Sequence, residues 1–312
     1  MVAGPTAVGK TEYAIGLAQL LDGEIVSADS MQLYKYMDIG SAKPTRQEQE
    51  AVPHHLVDEI DPREPFSAYE YQKRAKEAIR DIFKRKRVPV ISGGTGLYIN
   101  SLIYEMDFSA PPASEDFRKK MEELALERGH EALHQLLKEK DPLAAERIHP
   151  NNVKKVIRAL EILEGGSDCV REFRQSFVMT KDYEVRIAGL TRDREELYDR
   201  INRRVDSLMR AGLVDEVKKL CAMGLTEQAI SMRGIGYKEI FGYLAGEYDL
   251  EEAVRLVKRN TRHYAKRQMT WLRRYEPIRW FDLSVYEREG SREGLSPKER
   301  VCRDIAAFYR EG

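Results

Sequence analysis

The amino-acid sequence predicts an α/β fold built on a mostly parallel sheet flanked by helices, with an all-helical segment inserted into it. Three observations carry this expectation. Gly23 to Asp29 (GEIVSAD), Val88 to Ser92 (VPVIS) and Val185 to Leu190 (VRIAGL) are short apolar runs bounded by Gly, Ser or Asp. Unalternated apolar runs of this length read as strands covered on both faces, the usual state of a parallel sheet. Between the first two, Phe66 to Arg87 repeats Tyr69, Ala75, Ala78, Ile79, Ile82 and Phe83 at helical spacing among many charges, which predicts an amphipathic crossover helix. From Ala110 to Tyr183 strand signals stop. Behind Pro111-Pro112, the residues Phe117, Met121, Leu124, Ala125, Leu133, Leu136, Leu137, Val153, Val156, Ile157, Leu160 and Ile162 follow a helical period. The expected division is an α/β core of residues 1–109 and 184–312, interrupted by a helical insertion at 110–183.

The remaining elements follow from the same signals. Arg194 to Met223 reads as one long helix, followed by a Gly-rich turn at Arg233 to Tyr237. Leu250 to Tyr275 reads as another helix, Ile278 to Leu283 as an edge strand and Pro297 to Arg310 as a closing helix. No internal repeat or low-complexity tract interrupts them.

Composition removes several classes of function. At 312 residues with 42% hydrophobic content, the chain can bury a large core and is no small peptide-like binder. Lys+Arg and Asp+Glu both total 52, so any nucleic-acid partner must be met by local patches, because no global positive field exists. Cys169, Cys221 and Cys302 lie far apart without metal-ligand or Cys-x-x-Cys spacing, which predicts reduced thiols and a cytoplasmic setting. No apolar run approaches the roughly 18 residues of a membrane span, and Met1 to Gly4 shows no signal-peptide pattern. A soluble chain is expected.

Chemistry enters at the N-terminus. Gly4, Pro5, Thr6, Ala7, Val8, Gly9, Lys10 and Thr11 match G-x-x-x-x-G-K-[ST], the P-loop pattern, and open an apolar helix containing Tyr13, Ala14, Leu17, Ala18 and Leu21. Such a loop presents successive backbone N–H groups and a helix N-terminus to phosphate, while the lysine reaches phosphate oxygens and the threonine hydroxyl reaches Mg²⁺. A P-loop NTPase-like core that grips pyrophosphate follows, with Mg²⁺ as cofactor and Thr11 as its ligand. Only Met1 to Ala3 precede Gly4, so the strand feeding the loop is expected to be very short or truncated.

The cradle alone does not choose between phosphoryl transfer and the holding of a leaving group. Val88 to Ser92 ends in Gly93-Gly94-Thr95-Gly96 where many NTPases place a Mg²⁺-binding Asp, and no Asn-Lys-x-Asp motif occurs. Asp29 closes a strand, at the sheet edge where α/β folds bind ligands. It could serve as a proton acceptor or as a Mg²⁺ ligand, and spacing leaves both open. Thr95 sits in a turn that lets backbone approach a ligand. Arg200, Arg203 and Arg204 lie on one helix, Arg200 and Arg204 on one face, so either can reach inward to a pyrophosphate or remain a solvated cation.

Two basic segments suggest the missing partner. Ala253 to Tyr275 carries Arg255, Lys258, Arg259, Arg262, Lys266, Arg267, Arg273 and Arg274 without one acidic residue. Lys258, Arg262 and Lys266 at i, i+4, i+8 predict a positive strip able to track a phosphate backbone, with the interleaved Tyr264, Trp271 and Tyr275 read as core. Lys154, Lys155 and Arg158 form a smaller cluster in the insertion.

The chain resembles the bacterial tRNA dimethylallyltransferase (isopentenyltransferase) family. The likeness rests on Gly4 to Thr11, Asp29-Ser-Met-Gln-Leu-Tyr34, Asp38-Ile-Gly-Ser-Ala-Lys-Pro44, Pro53-His-His-Leu56, Gly93-Gly-Thr-Gly-Leu-Tyr98, Arg147-Ile-His-Pro-Asn151, Arg158-Ala-Leu-Glu161, Gly234-Ile-Gly-Tyr-Lys-Glu239 and Ala265-Lys-Arg-Gln-Met-Thr-Trp271. Each is weak alone, but they follow in order along almost the whole chain. The resemblance implies transfer of a dimethylallyl group from dimethylallyl diphosphate to N6 of the adenine beside the tRNA anticodon. It implies Asp29 as the group that takes the N6 proton, and Lys10, Thr11 and Arg204 as diphosphate stabilisers, with Thr95 near the target nucleotide. It further implies tRNA contacts from Asp29, Ser30, Met31, Gln32, Arg118, Lys154, Lys155, Arg158, Arg233, Lys238, Lys266 and Arg267, the insertion clasping the anticodon stem-loop. Gly165-Gly-Ser-Asp-Cys169 departs from the family's usual turn. A monomer without membrane contact is expected. A nucleotide or small-molecule kinase is the rival reading, and a noncatalytic RNA-binding P-loop protein a second.

Overall fold

The computed structural model describes residues 1–106, 115–166, 170 and 178–311. Pro111-Pro112 and Cys169 lie outside these residues. Two compact units are present, Met1–Leu102 with Tyr183–Gly312, and Ile103–Asp182.

The first unit holds a six-stranded sheet in which every pairing is parallel. Its strands are β1 (Val2–Ala3), β2 (Gly23–Ala28), β3 (His54–His55), β4 (Val88–Gly93), β5 (Ile187–Thr191) and β6 (Ile278–Asp282), ordered β3-β2-β4-β1-β5-β6. The strand feeding the P-loop is two residues long and nevertheless central. Val2 pairs with Ser92 on one side and Ala188 on the other, and Ala3 with Gly93 and Gly189. Because all strands point the same way, the P-loop, Asp29, Gly94 and Arg192 leave the sheet at one edge, where the chain's order reverses about β1. Such a crevice is where α/β sheets bind ligands.

Helices cover both faces. The helix after the P-loop, α1 (Lys10–Leu20), buries Tyr13, Ala14, Leu17 and Ala18 against a core that includes Val2, Ile25, Val90, Leu190, Ile201, Phe281 and Ile305. The short α2 (Arg46–Ala51) is capped by a Thr45–Glu48 box. The crossover helix is α3 (Ala68–Lys84), opened by a Ser67–Glu70 capping box. Its buried face is Tyr71, Ala75, Ile79 and Ile82, whereas Tyr69 and Phe83 are exposed, a correction to the sequence reading. Tyr71 wins the core position because its ring stacks on Tyr98 at 3.7 Å and its hydroxyl donates to the Ser27 carbonyl. After β4 comes α4 (Gly96–Ile103).

The second unit is helical, with α5 (Glu115–Lys140), α6 (Pro142–Arg147) and α7 (Val153–Glu164). The backbone of α5 breaks at Gly129, with φ 84° and ψ 167°. Leu133, Leu137, Val156, Ile157 and Leu160 form its centre. Ile162, expected in the core, is only half-buried, and the fully buried neighbour is Glu161.

The expected long helix at Arg194 to Met223 is two helices, α8 (Arg194–Arg210) and α9 (Leu213–Ala222). Gly212 separates them at φ +101°, a left-handed conformation that ends α8 and redirects the chain. Next come α10 (Tyr237–Leu244) and α11 (Leu250–Leu272), then α12 (Leu283–Glu289) and α13 (Pro297–Arg310). The edge strand Ile278–Asp282 is parallel to β5. No helix among the described residues is long and apolar enough to cross a membrane.

β2 and β4 approach each other so closely at their C-terminal ends that a Cβ on Gly93 would lie 2.3 Å from the Ala28 carbonyl oxygen. Backbone cannot yield as a flexible side chain can. Gly93→Ala should therefore lower stability by about 1–3 kcal/mol, read as a reduced urea midpoint at unchanged slope, and an unchanged midpoint would show that these strand ends separate freely.

Candidate active site

At the crevice the P-loop runs from β1 into α1, and four successive residues of it are each gripped by one side chain. Lys10 Nζ donates to the Pro5 carbonyl (2.9 Å). The Thr6 N–H donates to Gln268 Oε1 (2.8 Å). Arg200 Nε donates to the Ala7 carbonyl (3.0 Å) and Arg192 Nε to the Val8 carbonyl (3.1 Å). Ala7 sits at φ +64°, unusual for a residue with a Cβ and sustained by this bracing. Arg192 is itself buried, with 2% of its side chain exposed, and is neutralised by Glu196 and Glu287.

A cavity of about 430 Å³ opens beside the loop, lined by Thr6, Ala7, Gly9, Lys10, Thr11, Glu12, Asp29, Gln32, Ala42, Glu48, Arg200, Arg203, Arg204 and Ser207. Four cations and three carboxylates thus share one space. Burial pulls the Lys10 ammonium down to about 8; the Asp29 charge acts upward and Arg204 downward. Burial likewise lowers the Arg204 guanidinium, with Asp29 opposing. Both cations are therefore short of solvation and favour an incoming anion.

Asp29 follows β2 in a turn, its Oδ1 accepting from the N–H groups of Met31 (2.9 Å) and Gln32 (3.4 Å). Among the described residues Oδ2 has no hydrogen-bond partner, which leaves it for a ligand. Thr95 lies after β4. Its Oγ1 accepts from the Ser30 N–H (3.1 Å) and its N–H donates to the Ala28 carbonyl (3.1 Å). Thr95 is thus tied to the Asp29 turn without lining the cavity. Burial chiefly, with the nearby Asp29 charge, pushes the Tyr264 hydroxyl up to about 12.

The structure brings Gly9, Lys10, Thr11, Asp29, Gln32 and Arg204 together, and it leaves Arg233, Lys238, Lys266 and Arg267 exposed outside the cavity. Arg200, read as a possible pyrophosphate ligand, lines the cavity while its Nε holds the loop. Lys154 and Lys155 are exposed on the helical unit. Arg118 and Arg158 there hydrogen-bond the two oxygens of buried Glu161 (2.7 and 3.0 Å). Burial works to raise the Glu161 carboxyl, but these two hydrogen bonds outweigh it and the net direction is downward.

The continuous positive strip on α11 is corrected. Lys258 pairs with Asp206 of α8 (2.6 Å) and Arg262 Nη1 donates to Asn202 Oδ1 (2.7 Å). Only Lys266 of the three is exposed, because α8 packs against α11 and takes up the other two. Sequence reasoning missed Gln268 and Glu216, although a signal existed. Gln268 falls in the buried stripe Ala253, Val257, Thr261, Ala265, Gln268, Leu272, and Glu216 in the stripe Leu213, Val217, Leu220. A polar residue in an apolar stripe must have a partner.

Fold and site define a P-loop α/β protein whose cavity sets one carboxylate against an anion cradle. Residues 32–275 match the family described as IPP transferase. The tRNA dimethylallyltransferase of Alkaliphilus oremlandii is 53% identical over 309 residues, 99% of this chain and 97% of that one. That of Clostridioides difficile is 51% identical over 287 residues, 92% of each. The full-length tRNA isopentenylpyrophosphate transferase of Bacillus halodurans superposes with a TM-score of 0.72 at 43% identity, over 99% of this chain and 94% of that one. A eukaryotic dimethylallyltransferase acting on tRNA gives a TM-score of 0.77 at 28% identity, over 90% and 72%. The chain belongs to the IPP transferase family.

The Lys10 shift makes the cradle sensitive to pH. A bound diphosphate stabilises the ammonium, so its pKa rises above about 8 on binding, and binding near pH 8.5 should take up part of a proton. Calorimetry of inorganic pyrophosphate binding in buffers of different ionisation enthalpy should show this uptake, beyond any seen with Lys10→Met. Equal uptake by both proteins would rule Lys10 out as its source.

Proposed function

We propose that this protein transfers a dimethylallyl group from dimethylallyl diphosphate to N6 of the adenine beside the anticodon of tRNA, releasing diphosphate. The observation that carries this reading is the sharing of one cavity by Asp29, Lys10, Thr11 and Arg204. A group that can accept a proton there faces groups that can receive a departing diphosphate. Membership of a family whose relatives are tRNA dimethylallyltransferases supports it, and favours it over a kinase using the same cradle.

The adenine must leave the stacked anticodon loop to present N6, so it is extruded toward Asp29. The N6 lone pair attacks C1 of the donor and a C1–N6 bond forms. The C1–O bond breaks and its electron pair leaves with the diphosphate, which Lys10, Arg204 and the backbone N–H groups of Gly9, Lys10 and Thr11 receive. The N6 proton passes to the Asp29 carboxylate, whose Oδ1 is fixed by the Met31 and Gln32 amides. An exocyclic amine conjugated to its ring is a poor nucleophile. Rate therefore comes from alignment with C1 and from charge dispersal on the leaving group.

Mg²⁺ fits this cavity. Thr11 on its lining offers a hydroxyl oxygen, the donor type that a hard cation prefers. Thr11 is the proposed ligand, and the ion would supply charge neutralisation for the diphosphate.

For tRNA, the proposed contacts are the Asp29 to Gln32 turn, Thr95, Arg233, Lys238, Lys266 and Arg267, with Arg118, Lys154, Lys155 and Arg158 of the helical unit on the anticodon stem-loop. Acting as a cytoplasmic monomer is the accompanying proposal.

The test is the appearance of radiolabelled dimethylallyl group in tRNA. Asp29→Asn should lower kcat about 10²- to 10⁴-fold, the reach of a positioned general base, with a much smaller change in tRNA affinity. Raising Mg²⁺ should leave that defect in place; full recovery would make Asp29 a metal ligand. Lys266→Gln with Arg267→Gln should raise the KM for tRNA and flatten its salt dependence by about one unit of slope per charge. A salt slope equal to wild type would remove this end of α11 from the tRNA surface.

A further inference from the structure

We propose that Glu216, outside the cavity, is a positioning residue for Asp29, acting through the loop that runs from Asp29 to Lys43. The proposal rests on the reading of Asp29 as proton acceptor. Glu216 is buried on α9, and its carboxylate gathers four donors. One oxygen accepts from the N–H groups of Asp38 (2.8 Å) and Ile39 (2.7 Å), the other from the Gly40 N–H (3.0 Å) and the Tyr237 hydroxyl (2.8 Å). The Tyr237 oxygen in turn accepts from the Ser41 N–H (3.0 Å). Gly40 lies so close to this phenol that a Cβ there would sit 2.5 Å from the ring.

Three consecutive amides are thus drawn to one carboxylate, and the path of the loop is fixed at that point. The effect reaches Asp29 through a continuous series of bonds. Ala42, two residues beyond Gly40, is held at φ +46°, and Tyr36 before it at φ +64°. Backbone in such conformations persists only where surrounding bonds over-determine it. The Ala42 carbonyl accepts from Gln32 Nε2 (3.1 Å), and Gln32 Oε1 accepts from Ser27 Oγ (3.3 Å). The Gln32 N–H then closes on Asp29 Oδ1 (3.4 Å). On the far side of the loop, Lys43 Nζ pairs with Asp38 and Asp58. An apolar side chain here would leave three backbone N–H groups without their acceptor. What only a carboxylate does is gather several N–H groups at one point.

The experiment is a double-mutant cycle in the dimethylallyl transfer assay under single-turnover conditions with saturating tRNA, each variant first checked for cooperative unfolding. Glu216→Gln keeps the shape, loses the charge and replaces one of the two acceptor oxygens by an NH2 donor. It should lower the transfer rate about 10- to 100-fold, the scale of a misplacement of about 1 Å, while the KM for dimethylallyl diphosphate stays near wild type. In an Asp29→Asn background the same change should alter the rate by less than about twofold, since sites that act as one are not additive. Should Glu216→Gln fail to fold, Tyr237→Phe carries the same cycle, because it removes the phenol's bonds and leaves the three amide bonds in place. Additive losses would overturn the positioning role and leave Asp29 as base. An Asp29→Asn enzyme as fast as wild type would overturn both.

Discussion

The arrangement depends on one constraint, the fixed shape of a loop whose own backbone groups are the ligands. A P-loop can offer N–H groups to an anion only if its carbonyls are turned away and held there. Arg192 and Arg200 take the carbonyls of Val8 and Ala7, and Lys10 takes that of Pro5. Gln268 binds the Thr6 N–H and, through Nε2, the Gly94 carbonyl (3.0 Å). The ends of β1 and β4 are thereby locked together by a single amide on α11. Lys10 and Arg200, which hold carbonyls, also line the cavity, so they both shape the cradle and add to its positive charge.

Buried carboxylates recur as organisers of this chain. Glu24 accepts from His55 and Arg85 beneath the sheet, and hydrogen bonding to Arg85 holds its carboxyl down at about 2. Glu161 gathers Arg118 and Arg158 within the helical unit. Glu216 gathers backbone amides instead of cations, and so sets a loop where the others join side chains. Each is fully compensated, as a buried charge must be.

Basic residues on α11 show how one helix divides its charges. Lys258 and Arg262 meet Asp206 and Asn202 on α8, while Lys266 and Arg267 stay exposed beyond those contacts. Sequence spacing places all three of Lys258, Arg262 and Lys266 on one side, and does so correctly. What spacing omits is the neighbouring helix, whose Asp206 neutralises Lys258 and whose Asn202 accepts a hydrogen bond from Arg262.

The sequence by itself determined the parallel sheet, the helical insertion, the P-loop and the place of Asp29 at the end of a strand, because strand hydrophobicity, helical period and loop chemistry are local properties. Arg204 was legible as a candidate for the same reason, its helix and face following from spacing. Only the tertiary structure decided that Arg200 and Arg192 brace the P-loop, that Gly212 breaks a helix in two, that β1 lies at the centre of the sheet, that Gln268 holds the P-loop, and that Glu216 gathers the amides of residues 38–40. Each of these depends on a partner far away in sequence, such as the 262 residues between Thr6 and Gln268. A hydrogen bond across that distance is set by how the helices pack on the sheet, and no pattern in either segment specifies the other end.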